Sequence, residues 1–218
     1  QGRTALRLPR VLVAISVQSV ARLRLEQLVL DAPELDIRLT VDGRWQVAGL
    51  AVAQTPRGDS AAADWFFSQR EVIVRGGTVR WTNERAGSGQ PLALREVDVL
   101  IRNSVLHNDL RLDATPPEGW GERFVLMGRF RRSLLSTHAG HFKDWSGSTY
   151  AYFPHVDVAQ LRQHVVLAQG MDVRAGQGAL RLWNDVQRGQ WAGGVADVQL
   201  SGVQVRLGTP LADRKSVV

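Results

Sequence analysis

Apolar and polar residues alternate along most of the chain, and this period of two is typical of β-strands that bury one face. The alternation over residues 35–41 ends at Asp42 and Gly43, which are typical of a two-residue hairpin turn. Residues 71–99 contain two alternating runs that meet at Gly76 and Gly77, and a third run that follows a polar, glycine-rich loop. We predict a mainly β chain with three consecutive antiparallel strands in this last segment.

The alternation changes phase once within residues 92–101. Its apolar positions are even-numbered as far as Leu94 and odd-numbered from Val97 onward, so the phase shifts at Arg95 and Glu96. This shift predicts a bulge or a bend in the strand. Two consecutive prolines at 116 and 117 stop the strand that precedes them. Further strands are predicted over residues 124–130, 180–183, 195–200 and 203–207.

Two segments depart from the strand pattern and predict short helices packed against the sheet. Asp64 is a suitable N-cap for a helix over residues 65–69. Asp157 is a suitable N-cap for a second helix over residues 158–166, where apolar residues recur at helical spacing.

The sequence repeats itself weakly. Units near residues 23–50, 71–101 and 178–208 each contain an apolar strand, a glycine-containing turn and a second strand. The segments LALREVDV (92–99) and ADVQLSGVQV (196–205) also resemble each other. Elongated β architectures repeat in this way, but any meander of hairpins would look self-similar too, and the spacing alone leaves both interpretations open.

The composition excludes several kinds of function. The chain has 218 residues, of which 44% are hydrophobic, so it can bury a core. It lacks cysteine, which excludes disulfides, thiolate catalysis and cysteine-based zinc sites. Its net charge is +6, but the arginines that carry it are spread along the strands, so we predict no nucleic-acid partner. No apolar run could span a bilayer. Because the sequence starts at Gln1, we expect that an upstream anchor is missing.

No catalytic motif is recognisable. His138 and His141 are the only close pair among five histidines, and no acidic residue lies at the spacing that a zinc site would need. Nucleophile elbows, Walker loops and dinucleotide fingerprints are absent from the sequence. We therefore predict no catalytic residue, no metal site, no cofactor and no enzymatic activity.

The seven tryptophans have two interpretations. Tryptophans in strands usually fill the core or brace hairpins. Some of them could instead line an apolar groove, and the sequence alone does not separate the two roles.

The last six residues, 213–218, read DRKSVV. They can be back-translated into the start of a common sequencing-library adapter, so our hypothesis is that they are a translated adapter tail rather than native sequence. The genomic sequence around codon 212 tests this hypothesis, because a native match to DRKSVV would refute it.

The residues resemble a known family at many positions in order. The segment APELDIRLTVDGRWQVAGL (32–50) resembles the AsmA-like proteins, and DWFFSQREVIVRGGTVRWTNERAGSGQPLALREVDVLIRN (64–103) resembles their YhdP branch. Three further segments fit the same branch: residues 114–132, 144–165 and 177–208. The resemblance covers nearly everything before residue 213, and no single motif in it is catalytic.

This resemblance implies a fold and a function. The fold would be an elongated, twisted antiparallel β-sheet that curls into a trough, with a few short helices. Such proteins of Gram-negative bacteria are anchored in the inner membrane by one helix, here missing, and project through the periplasm. They look like bridges that carry phospholipid to the outer membrane, with the acyl chains in the trough. Residues 1–212 would be one segment of such a protein, and other envelope proteins could be partners.

Seven residues are candidates for the apolar lining of that groove. The alternation assigns them to a buried face, but it does not distinguish a lipid-lining role from an ordinary core. There are two other hypotheses: a non-enzymatic envelope scaffold or outer-membrane assembly factor, and a carbohydrate- or nucleic-acid-binding β-domain. The spread of the arginines along the strands argues against the second of these. The candidates are Val72, Val74, Val79, Trp81, Val97, Val99 and Ile101.

Overall fold

The structure, a computed structural model, describes residues 5–17, 24–48, 50–52, 61–86, 92–132, 140–157 and 171–207. Within these residues, thirteen strands form one large sheet that does not close into a barrel. One α-helix and two short 3-10 helices accompany the sheet in the described ranges. The predicted mainly β fold is therefore confirmed.

The elements follow one another along the chain as short strands, one helix and then long strands. The 3-10 helices span Glu84–Ala86 and Phe142–Asp144. The strands and the helix are β1 (Leu6–Arg7), β2 (Arg10–Ala14), β3 (Gln27–Asp31), β4 (Glu34–Leu39), β5 (Trp45–Val47), β6 (Leu50–Val52), α1 (Ala61–Ser68), β7 (Glu71–Asn83), β8 (Leu92–Asn103), β9 (His107–Thr115), β10 (Phe124–Arg132), β11 (Trp145–Asp157), β12 (Met171–Gln187) and β13 (Gln190–Leu207).

From β7 to β13 the sheet is a meander in which each strand pairs antiparallel with the next. On its other edge, β7 pairs in parallel with β3 along its first half and with β4 along its second half. The sheet is therefore mixed at β7 rather than antiparallel throughout. Parallel neighbours need a crossover connection, and the chain between β4 and β7, which includes α1, supplies one.

The predicted turn at Gly76 and Gly77 is wrong, because both glycines lie inside β7. Gly76 has a positive φ of 59°. A Cβ on Gly77 would lie 3.2 Å from Val74 Cγ1 and 3.3 Å from the Val97 carbonyl oxygen, so the neighbouring strand leaves little room there. The pairing with β8 changes register at this point, so the two glycines form a bulge within one strand.

Bulges with the same backbone conformation occur in several strands, and three of them lie side by side. Ala32, Gly76, Glu96 and Gly202 all have φ between 48° and 62°, and each interrupts an alternating run without moving its apolar residues to the other face. Ala32 lies beside Gly76 in the parallel register of β3, β4 and β7. We call Ala32, Gly76 and Glu96, which lie side by side, the bulge line; Gly202 on β13 lies farther along the strand direction. The bulge predicted at Arg95 and Glu96 is confirmed, and the two similar segments of β8 and β13 share it.

Hydrogen bonds of Arg123 and Asp98 connect the bulges of β7 and β8. Arg123, just before β10, donates to the Glu96 carbonyl oxygen at 2.7 Å and to Asp98 Oδ2 at 2.6 Å. The other carboxylate oxygen of Asp98 accepts the backbone N–H of Gly76 at 2.9 Å. Asp98 therefore satisfies a backbone donor that the bulge removes from the strand ladder.

The remaining predictions have mixed outcomes. The hairpin turn predicted at Asp42–Gly43 is confirmed, and the glycine-containing turn predicted in the unit near 178–208 is a hairpin turn at Arg188–Gly189. Helix α1 is confirmed, but it begins at Ala61, so Asp64 lies in its first turn and is not its N-cap. The Asp64 side chain instead accepts the backbone N–H of Gly140 at 2.7 Å, which fixes α1 to the loop before β11. The second predicted helix, at 158–166, and the tail at 213–218 lie outside the described residues.

Candidate functional site

The two faces of the sheet differ in chemistry. Residues that pair across neighbouring strands share a face, so the register assigns each side chain to one side. Leu28, Val72, Ile101 and Leu110 are successive partners on four strands and define the apolar face. The opposite side, which we call the polar face, carries ion pairs such as Arg129 with Asp109.

Part of the apolar face is a closed core beneath α1. Leu28, Val72 and Ile101 form a buried cluster, and Phe66 and Phe67 of α1 pack against it. The side chain of Val72 is 0% exposed and that of Ile101 is 4% exposed. This row of the face has no access to a ligand while α1 is in place.

An aromatic cluster extends this cover toward β11. The ring of Phe67 lies 5.0 Å from that of Trp145 and 5.2 Å from that of Phe142, both in edge-to-face geometry. Phe130 on β10 also contacts Trp145, at 5.3 Å. Trp145 is buried, so this tryptophan has the core role that is usual in strands.

The next row of the apolar face stays accessible across the sheet. Its members are partners on nine consecutively paired strands, and every one is half-buried or exposed. Neighbouring strands are roughly 4.8 Å apart, so the row is about 38 Å long. We call it the accessible row: Val11, Leu30, Val74, Val99, Leu112, Leu126, Ala151, Leu182 and Ala196.

All seven candidate residues lie on the apolar face, but they have different surroundings. Val72, Val97 and Ile101 are buried and so form part of the core. Val74 and Val99 belong to the accessible row. The other two, Val79 and Trp81, lie beyond the bulge line and are half-buried. Whether any of the seven contacts lipid stays a prediction.

The sequence interpretation missed most of the accessible row. Leu126, Leu182 and Ala196 were not candidates, although each lies in a segment with clear alternation. Their alternation is the same as that of the buried residues. What distinguishes them is that α1 does not cover them, and this depends on the packing of the chain rather than on local spacing.

The polar face carries a ladder of ion pairs over β7 to β10. Arg102 pairs with Glu71 at 2.9 Å, and Arg111 binds both carboxylate oxygens of Asp113 at 2.7 and 2.9 Å. Hydrogen bonds from Arg102 and then Gln27 lower the pKa of Glu71. The hydrogen bond from Arg111 likewise lowers the pKa of Asp113. This face is therefore charged and suited to contact with water.

The described residues contain no group of three or more side chains that could hold a metal ion. His138 lies outside those residues, and His141 Nδ1 lies 3.4 Å from Asp144 Oδ2. The described helices include none that is both long and apolar enough to cross a bilayer.

An open, β-rich sheet fits the AsmA-like proteins. The sequence model of a family described as YhdP protein matches residues 1–215 of the chain. The chain therefore belongs to the YhdP family, which is a family of cell-envelope proteins and is not a known enzyme family. The family resemblance read from the sequence is confirmed. No curated protein matches the chain.

Proposed function

We propose that this chain is a segment of an inner-membrane-anchored periplasmic protein that carries phospholipid between the inner and outer membranes. The acyl chains would lie along the accessible row, with the headgroups in water. The observation that carries the proposal is the continuity of that row, which is apolar on nine neighbouring strands and is not buried on any of them.

The energetics of such a surface suit transport. Each CH₂ group that leaves water gains roughly 0.8 kcal/mol, so contact along the row would hold an acyl chain without a polar site. The row consists of valine, leucine and alanine only, so adjacent positions offer similar contacts. Lipid could then move from strand to strand without meeting a deep local minimum that would trap it.

One observation favours a second function, a non-enzymatic envelope scaffold or assembly factor. The row beneath α1 is an ordinary closed core, as the complete burial of Val72 indicates. If the accessible row is covered by other protein in the cell, the whole apolar face would serve stability alone.

Native mass spectrometry of the chain purified from bacterial cells, with extraction and identification of lipids, tests the proposal. We expect co-purifying phospholipid with the unchanged sequence. The double variant Leu126→Asp and Ala196→Asp should lose most of it, because both changes place a carboxylate in the accessible row.

A matched control adds the same charge elsewhere. Val105 is an exposed residue of the turn between β8 and β9, and Gln199 lies on the polar side of β13. Val105→Asp with Gln199→Asp should keep the lipid. A folded, lipid-free unchanged protein, or equal lipid in both double variants, would refute carriage on this row and favour the scaffold.

A further inference from the structure

The polar face contains an open cavity of about 660 Å³ between β8 and β13. This volume is in the usual range of small-molecule sites. Its floor is a second set of apolar side chains, which stand on the charged side of the sheet and have no part in the accessible row. They occur at one level of the register, which is interrupted on β9 by Arg111: Leu100, Met127, Tyr150, Trp183 and Val195.

Two aromatic rings form the centre of this floor. Tyr150 and Trp183 are direct cross-strand partners, and their ring centroids are 5.4 Å apart with the planes tilted by 45°. Trp183 is 40% exposed, so a large apolar ring faces solvent within a charged surface. A tryptophan that served only to fill the core would lie on the apolar face, as Trp145 does.

A row of polar side chains borders the aromatic pair. Arg129, Ser148 and Asp185 are successive cross-strand partners beside it. Arg129 Nε donates to Asp109 at 2.7 Å and its terminal nitrogens remain as donors. Within the part of the chain that the structure describes, the side chains of Ser148 and Asp185 have neither a hydrogen bond nor an ion pair. The row ends at Gly193, where an added Cβ would meet nothing within 4 Å, so no protein atom covers this end of the row in the described residues.

This combination of groups selects the chemistry of a ligand. Three arginines line the cavity, but each is already paired with a carboxylate: Arg102 with Glu71, Arg111 with Asp113 and Arg129 with Asp109. Asp185 has no ion-pair partner among the described residues, so a phosphate would meet its uncompensated negative charge, and a cation would meet the three guanidinium groups. A neutral sugar ring suits both neighbours, because each hydroxyl can donate to the carboxylate or accept from the guanidinium. The C–H groups on one face of a pyranose carry partial positive charge and fit the negative face of an aromatic ring. We propose that this cavity is a saccharide-binding site, with Trp183 and Tyr150 as its stacking platform.

Isothermal titration calorimetry of the full chain tests the proposal with four probes. Chitotetraose and maltotetraose represent neutral saccharides, glycerol 3-phosphate represents an anion, and choline represents a cation. We expect at least one saccharide to bind and the two charged probes not to bind. Trp183→Ala should weaken saccharide binding at least tenfold, and Asp185→Ala should weaken it by a smaller factor.

Trp191→Ala is the matched control, since Trp191 is 73% exposed on β13 but lies outside the cavity. It should leave saccharide affinity unchanged, and thermal unfolding should show that all three variants fold. The proposal is overturned if neither saccharide binds, if a charged probe binds instead, or if Trp183→Ala binds saccharide as well as Trp191→Ala does. Trp183→Ala should also keep its co-purifying phospholipid, so this test and the lipid test can fail separately.

Discussion

Two neighbouring rows of the apolar face have the same kind of side chains and opposite surroundings. Val72 and Val74 lie two residues apart on β7 and point to the same side, but Val72 is completely buried and Val74 is only half-buried. The phenylalanines of α1 pack against the first row, while the members of the second row are half-buried or exposed. For these two rows, the covering helix rather than the strand separates a core from a surface. A second buried cluster of Val97, Ala114 and Phe124 forms without α1, from residues of the sheet alone.

The largest expected effect comes from the same substitution in each row. Val72→Asp places an unpaired charge in the core and should lower the free energy of unfolding by about 4 kcal/mol. Val74→Asp should cost only about 1 kcal/mol, because its carboxylate can reach water, but it should reduce bound phospholipid. Urea unfolding followed by circular dichroism measures both changes. Equal destabilisation by the two variants would mean that the rows do not differ in burial.

An intermediate effect is expected at the bulge line, which holds β7 and β8 in the arrangement that both rows require. Arg123→Ala removes the donors to the Glu96 carbonyl and to Asp98, and should cost about 1–2 kcal/mol, reduced by the partial exposure of these groups. Arg70→Ala is the control, since it removes an exposed ion pair with Glu26 and should cost less stability than Arg123→Ala. If both variants lose the same stability in urea, Arg123 has no special role at the bulges.

The smallest expected effect is on how the stability of the protein depends on pH. It comes from two ion pairs on the polar face, on the other side of the sheet from the row that α1 covers. Arginine partners lower the pKa of Glu71 below its ordinary value of 4.5 and that of Asp113 below 3.8. A carboxylate whose pKa is lowered by folding stabilises the native state above its unfolded pKa, and this stabilisation is lost as pH falls through the folded pKa.

The double variant Glu71→Gln and Asp113→Asn separates this effect from general acid denaturation. At pH 7 it should melt at a lower temperature than the unchanged protein, since each exposed pair contributes about 0.2–1 kcal/mol. Below pH 3.8 the difference should shrink toward zero. A difference that stays constant between pH 7 and pH 3 in thermal melts would contradict the assigned pKa directions.

The sequence predicted the strands well because alternation is a local signal. It located the bulge at Glu96, since the extra residue shifts the phase of the apolar positions. It failed at Gly76 and Gly77, because two glycines serve a tight turn and a bulge equally well. The parallel pairing of β7 also could not be predicted, since it depends on a crossover that local spacing does not describe.

The candidate site was predictable only in part, for a related reason. Alternation assigned Val74 and Val72 to one face but could not tell that α1 covers only Val72. The tryptophans were ambiguous in the same way, because Trp145 is part of the core and Trp183 faces solvent on the polar side. Both distinctions require knowledge of which element packs on which face.

The bulge line has a consequence for how such a sheet can change over evolutionary time. The bulges at Ala32, Gly76 and Glu96 match one another, so the loss or gain of one residue in one of these strands would put the rest of that strand out of register with its neighbours. Neighbouring strands must therefore change length together, and such simultaneous changes are rare. Duplication of a whole hairpin that already contains its bulges keeps its strands in register. The architecture therefore favours growth by added strands over growth by longer strands.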